Sequence, residues 1–363
     1  MKISEFWNVL KQLTWLILFL VTCPVFASDN GEDVAQIIAK GTRATPIKHE
    51  PPVYPLKALR SGIEGWVVLS FIVKEDGTTD DIVVSNASIE NYFEKAAISA
   101  VSAWTYEPAT RNGEPVIQYN KSSRHTFKIT GQGEGVTKSF QFAYKSALEA
   151  IREGDLGEAD SLISKLDSNK KRLLSEVCYL DILKASYFRS KGNSKAARVH
   201  LERALVIADE VTTDGMYIAL LRQAIAEQAK AQNYRTALQH FNTLLEVDSD
   251  LAADDPVYKL AERIEQTIDS DGALITAGKI SRCTHCGSGV PRWHHALNRN
   301  RFSIDQVDGK LTEVEILCGN HSVSLSYNND VVWDADKDWG ECDVLVSGHT
   351  GTSFRLIELP KAN

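Results

Sequence analysis

The stretch GWVVLSFIVKEDGTTDDIVV, residues 65–84, decides how the first folded part of this chain is built. Gly65 to Val73 is rich in β-branched and aromatic residues, and Asp81 to Val84 repeats that character. Between them Glu75 to Thr78 carries an Asp-Gly pair, the strongest short hairpin signal, because glycine accepts the turn conformation without steric cost. Upstream, the Pro-rich entry PPVYP (51–55) holds an extended segment ahead of a helical turn. Downstream, Phe93, Ala96, Ala97, Ala100, Val101 and Trp104 recur at three-and-four spacing, which predicts a helix over Tyr92 to Trp104. Alternation from His125 to Ile129 predicts the last strand. The expectation is an α+β domain over residues 46–130.

Beyond it the texture changes twice. From 137 to 270 apolar positions recur with helical period. Three breaks look alike: Gly154-Asp155-Leu156-Gly157-Glu158-Ala159, Gly192-Asn193-Ser194-Lys195-Ala196-Ala197 and Gln232-Asn233-Tyr234-Arg235-Thr236-Ala237. Their closing alanines stand 38 and 40 residues apart, so one small residue recurs where two helices must approach closely. Helix pairs at such spacing predict an all-α solenoid that resembles degenerate tetratricopeptide repeats with longer second helices. From 278 to 363 short alternating segments predict a small all-β, disulfide-stabilised domain. Val314, Ile316 and Cys318 are expected inward there, as are Val323, Leu325 and Tyr327, and Cys342, Val344 and Val346.

The chain has 363 residues, a net charge of −8 and no long basic run, which argues against nucleic acid as a partner. At the N-terminus an apolar core, LTWLILFLV (13–21), precedes Val25-Phe26-Ala27. That pattern reads as a secretory signal peptide over 1–27, followed by a tether over 28–45. It places the protein in the periplasm with no stable membrane span after cleavage. The alternative is an inner-membrane anchor through an uncleaved N-terminal segment. Export also puts the cysteines in an oxidising compartment. Cys318 and Cys342 fall on inward positions of separate strands, and a bridge there is worth about 3 kcal/mol in the chain-entropy model. Cys283 and Cys286 are read as a disulfide with each other or with another tail cysteine. His294 and His295 nearby leave a zinc site as the competing reading, and the histidines are otherwise expected as ordinary surface or turn residues. Cys178, on a helix face, is expected as a small core hydrophobe.

The first domain resembles the C-terminal domain of TonB energy transducers. The residues that carry the resemblance are Tyr54-Pro55 with Ala58, Gly62-Ile63-Glu64-Gly65-Trp66-Val67, Asp76-Gly77, Phe93 with Ala96-Ala97, Trp104-Thr105-Tyr106-Glu107-Pro108 and Gly113. Tyr54, Pro55, Gly62, Gly65, Trp66, Gly77, Trp104 and Pro108 read as mainly structural, with Pro108 expected to stop the helix. The resemblance implies capture of an extended receptor peptide by strand addition at a sheet edge. The edge expected to do this is Ser123, Arg124, His125, Thr126, Phe127, Lys128 and Ile129, with the preceding segment Gln118 to Lys121. The competing expectation is that the following helices cover that strand. Implied partners are outer-membrane receptors or TonB-system proteins, with other envelope proteins bound through the helical repeats. A second functional reading is an envelope scaffold or assembly factor without a coupling role. No nucleophile motif, paired-carboxylate motif or phosphate-binding glycine loop occurs, so neither an enzyme nor a cofactor is expected, and no metal site is assigned.

Overall fold

The computed structural model describes residues 42–131, 135–252, 254–281, 290–319, 321–329, 331–336 and 339–360. The expected signal peptide, most of the tether, Cys283 and Cys286 lie outside the described residues.

The α+β unit opens with β1 (Thr45–Lys48) and α1 (Leu56–Ser61). There follow β2 (Gly65–Val73), β3 (Thr79–Ala87), α2 (Glu94–Val101), β4 (Thr105–Glu107), β5 (Ala109–Arg111), β6 (Glu114–Val116) and β7 (Gln118–Phe127). Its main sheet has three antiparallel strands in the order β3-β2-β7. Gly77 sits at φ 79°, and a Cβ there would stand 2.0 Å from the Tyr106 carbonyl oxygen. Both the turn and the close approach therefore require glycine. Tyr106 donates its N–H to the Gly77 carbonyl at 2.8 Å, which draws β4 across the hairpin turn. A Cβ on Gly65 would likewise meet Ser88 Oγ at 2.3 Å. Gly62 closes α1 at φ 63°.

Three details depart from expectation. Helix α2 ends at Val101, so Pro108 does not stop it. Thr105 to Glu107 are instead extended, because β1 pairs with all three. The last strand begins at Gln118 rather than His125. Its first half, QYNKSS, is polar throughout, which hides the alternation. Finally, Thr42 bridges Thr110 and Ala44 is buried, so the end of the expected tether packs onto this unit.

The helical region holds α3 (Lys138–Glu153), α4 (Leu156–Ser168), α5 (Leu174–Ser190), α6 (Ser194–Val211), α7 (Asp214–Lys230), α8 (Tyr234–Val247) and α9 (Pro256–Asp269). The three look-alike breaks are the turns inside the pairs α3–α4, α5–α6 and α7–α8. Gly154 (φ 82°) and Gly192 (φ 74°) take the left-handed conformation that ends the first helix of a pair. Asp155 and Asn193 then cap the second helix by accepting from Glu158 N and Ala196 N. Gln232 takes the same role at φ 61° without being glycine. Ala159, Ala197 and Ala237 are all buried where the paired helices cross.

In the tail region, β8 (Leu274–Lys279), β9 (Arg292–Ala296), β10 (Arg301–Asp308), β11 (Leu311–Cys318), β12 (Ser322–Ser326), β13 (Val332–Asp334), β14 (Cys342–Gly348) and β15 (Ser353–Glu358) form two four-stranded sheets. Their orders are β13-β10-β15-β8 and β12-β11-β14-β9. Phe302, Ile304, Phe354 and Leu356 of one sheet meet Val314, Ile316, Val344 and Val346 of the other in one core. A disulfide joins Cys318 to Cys342 between neighbouring strands. Leu325, expected inward, is 43% exposed, because β12 is an edge strand that overhangs the core. His295, expected at the surface, is buried against the Glu358 carboxylate at 3.0 Å. Glu358 also accepts from Asn298 N and Arg299 N at 2.6 and 2.7 Å, so a fully buried charge is amply solvated by donors.

Candidate functional site: an edge strand between two neighbours

Strand β7 is the outer strand of its sheet, and its residues contribute to three different surroundings. His125 and Phe127 point inward, with Phe127 stacked on Phe93 at 4.4 Å between centroids. Ser123 Oγ lies 2.9 Å from His125 Nε2. Burial, and then the neighbouring His49, push the His125 imidazole below its ordinary range, so it is neutral at pH 7. On the opposite face Arg124 reaches α6, donating to the Val206 carbonyl and to both oxygens of Asp209, with Glu210 2.8 Å away. Thr126 completes the expected set inside the strand, while Lys128 and Ile129 follow its end.

The edge itself is the row of main-chain groups that β2 does not use. At its start, the Tyr119 N–H donates to the Gly319 carbonyl of the sandwich at 3.0 Å. Asn120, in the left-handed region at φ 52°, donates from Nδ2 to Leu317 O and Asp343 Oδ2 at 3.2 and 3.1 Å. From Lys121 to Phe127 no described strand pairs with β7 on this side. The helices therefore cover a face of β7, the sandwich covers the first residues of its edge, and about 20 Å of edge lies between.

What holds those neighbours in place was only partly visible in the sequence. Trp66, singled out as a structural position, is fully buried against Leu174, Cys178, Leu201 and Ile207 of the helices. The Arg203 guanidinium lies over its ring at 5.3 Å and donates to Asn86 Oδ1 and Ala87 O of β3. Asp181 accepts from Arg203 Nε at 3.2 Å and lies 2.7 Å from His200 Nδ1. Glu64 is buried, its carboxylate accepting from Ile129 N and Leu174 N, each at 2.7 Å. It thereby ties the end of β7 to the start of α5. On the far side Asp343 is the joint of all three regions. It binds the Arg235 guanidinium at the start of α8, accepts from Asn120 and lies 3.6 Å from His294. Burial raises the Asp343 carboxyl, but the His294 and Arg235 interactions outweigh it and hold the group below its ordinary range. Arg299 meanwhile caps the last helix by donating to Thr267, Ile268, Ser270 and Gly272 carbonyls.

Of the remaining motif residues, Tyr54, directly before the extended Pro55, donates its hydroxyl to Ile63 O at 2.7 Å. Trp104 donates Nε1 to Glu50 O at 2.8 Å and lies against His49. These contacts order the inside of the unit and leave the edge alone. Among the described residues no group of three or more His, Cys, Asp or Glu is placed to hold a metal ion. No helix among them is long and apolar enough to cross a membrane.

Comparison with known proteins centres on this same unit. Residues 50–128 match the family model described as Gram-negative bacterial TonB protein C-terminal. Protein TonB of Pseudomonas aeruginosa is 33% identical over 84 residues, covering 23% of this chain and 24% of the relative. Protein TonB of Escherichia coli is 33% identical over 97 residues, covering 27% of this chain and 37% of the relative. The chain thus spans about a quarter to just over a third of the length of these relatives. The solution structure of the Pseudomonas aeruginosa TonB C-terminal domain is 32% identical, with 25% of this chain and 92% of that one covered at a TM-score of 0.23. The family likeness belongs to the α+β unit that contains β7, while the helices and the sandwich lie outside residues 50–128.

Proposed function

We propose that this protein serves outer-membrane transport as a TonB-like, non-enzymatic binding protein of the periplasm, capturing an extended receptor segment by strand addition along β7. The observation that carries this reading is the open edge from Lys121 to Phe127 within the unit that matches the TonB C-terminal model. Strand addition draws on main-chain hydrogen bonds, so it needs an unpaired edge more than special side chains. Ser123 to Ile129 are the residues of that contact, with outer-membrane receptors as partners.

A second reading, an envelope scaffold or assembly factor, has its own support. Trp66, Glu64 and Arg203 bury the sheet's second face under the helices, so the α+β unit is one wall of a larger body. In that reading the helix pairs act as degenerate tetratricopeptide-like repeats that bind other envelope proteins. The two are separated by titrating the protein with N-terminal peptides of outer-membrane receptors from the same cell and following backbone NMR shifts. Saturable shifts over Ser123 to Ile129 uphold transport coupling. Shifts restricted to the helices would instead favour the scaffold.

A further inference from the structure

Building on the strand-addition reading, we propose that a cavity at the end of β7 is the specificity pocket of that edge, taking an apolar side chain of the bound peptide that stands beside a carboxylate. The cavity encloses about 680 Å³ between the α+β unit and the helices. Lys128, the residue after β7, and Glu64, the residue before β2, line it on one side. Tyr144 and Leu148 of α3, and Leu174 and Tyr179 of α5, line it on the other. The rings are set: Tyr144 meets Tyr179 edge-on at 5.9 Å and stacks on Phe140 at 6.0 Å.

Two features identify the occupant. The first is continuity. A peptide laid along β7 meets the Tyr119–Gly319 contact at one end, so it continues only toward Lys128 and the cavity mouth. Glu210 lines the cavity and is also bonded to Arg124 of β7, so the cavity borders the strand at two points. The second is charge. The Glu64 carboxylate accepts from Ile129 N and Leu174 N, and Glu210 shares the Arg124 guanidinium with Asp209. Lys128 and Lys145, which also line the cavity, form no ion pair among the described residues. Aromatic and aliphatic side chains line the walls together with Gln141, Ser175, Thr212 and Thr213, and the charged lining groups with no bonded partner among the described residues are the two ammonium groups. A leucine- or phenylalanine-sized side chain next to an aspartate or glutamate matches both.

The test uses the full chain and blocked peptides of about eight residues, alternating threonine and valine, with an aspartate–leucine pair at either end. Backbone amides of β7 and methyl groups of Leu148 and Leu174 are followed in one NMR titration. The proposal expects both sets to shift together for one of the two peptides. It also expects about tenfold weaker binding when leucine becomes alanine. Lys128→Glu with Lys145→Glu should weaken that peptide similarly and leave an asparagine–leucine counterpart within about twofold. If β7 amides shift while the pocket methyls do not, the pocket is overturned and strand addition stands. If the methyls shift without β7, strand addition is overturned, and the cavity is no longer its specificity pocket. If neither set shifts, both readings fall.

Discussion

Replacing Trp66 with alanine should loosen the helices as much as the strand that carries the residue. The side chain is fully buried, and most of what it touches belongs to α5 and α6. Removing a buried tryptophan costs about 3–5 kcal/mol, and losing the Arg203 stack adds on the order of 1 kcal/mol. Arg203 would also lose the surface that holds it over Asn86 and Ala87. The reporter is Cys178, which packs in the same cluster and is fully buried. Burial, and then Asp181 and Asp209, push its thiol up to about 12, so it is unreactive until the helices open. With opening as the limiting equilibrium, a loss of about 3 kcal/mol raises the alkylation rate of Cys178 on the order of a hundredfold. Peptide mapping by mass spectrometry isolates that cysteine from the others. A rate within about threefold of the parent, alongside a destabilised α+β unit, would refute the claim that Trp66 joins the two.

The other predictions concern the turn, the joint and the buried charge. Gly77→Ala combines a forbidden conformation with a 2.0 Å clash against Tyr106 O, and should cost about 2 kcal/mol or more in a urea melt without changing the fold. Asp343 has a folded-state carboxyl below its ordinary 3.8, so its stabilisation is complete above about pH 5 and is lost as pH falls through the lowered value. Asp343→Asn should therefore release the sandwich from Arg235 and Asn120 at neutral pH, seen as faster hydrogen exchange at Tyr119, and flatten the acid limb of the stability curve. Glu358→Ala strands the part-buried Asn298 N–H and the buried Arg299 N–H and should destabilise the sandwich by about 3 kcal/mol, measured by its thermal melt.

Much of the α+β unit was legible because its punctuation is local. Asp76-Gly77 fixes a hairpin, the Ala96-Ala97-Ala100 face marks a helix, and each can be read without knowing the neighbours. The Asn112-Gly113 turn between β5 and β6, with φ of 52° and 87°, carries the same kind of signal but was not among the expected hairpins. The helix pairs were legible for a similar reason, since their turns repeat a left-handed residue followed by a cap. What the sequence hid is long-range. Glu64 looks like one more polar residue in a turn, yet its carboxylate closes a contact to Leu174, 110 positions away. Asp343 and Arg235 stand on a strand and a helix with no local mark of being partners. Pro108 shows the converse error: a residue able to stop a helix need not be where the helix stops, because strand pairing claimed Thr105 to Glu107 first.

The central claim, that β7 offers its edge to an incoming strand, is tested most directly by amide hydrogen exchange over Lys121 to Phe127 with and without saturating receptor peptide. Strand addition predicts slowed exchange at alternate amides of this segment, with Tyr119, already bonded to Gly319, little changed. Unchanged exchange across Lys121 to Phe127 while the peptide is bound, or slowing confined to the helices, would contradict it.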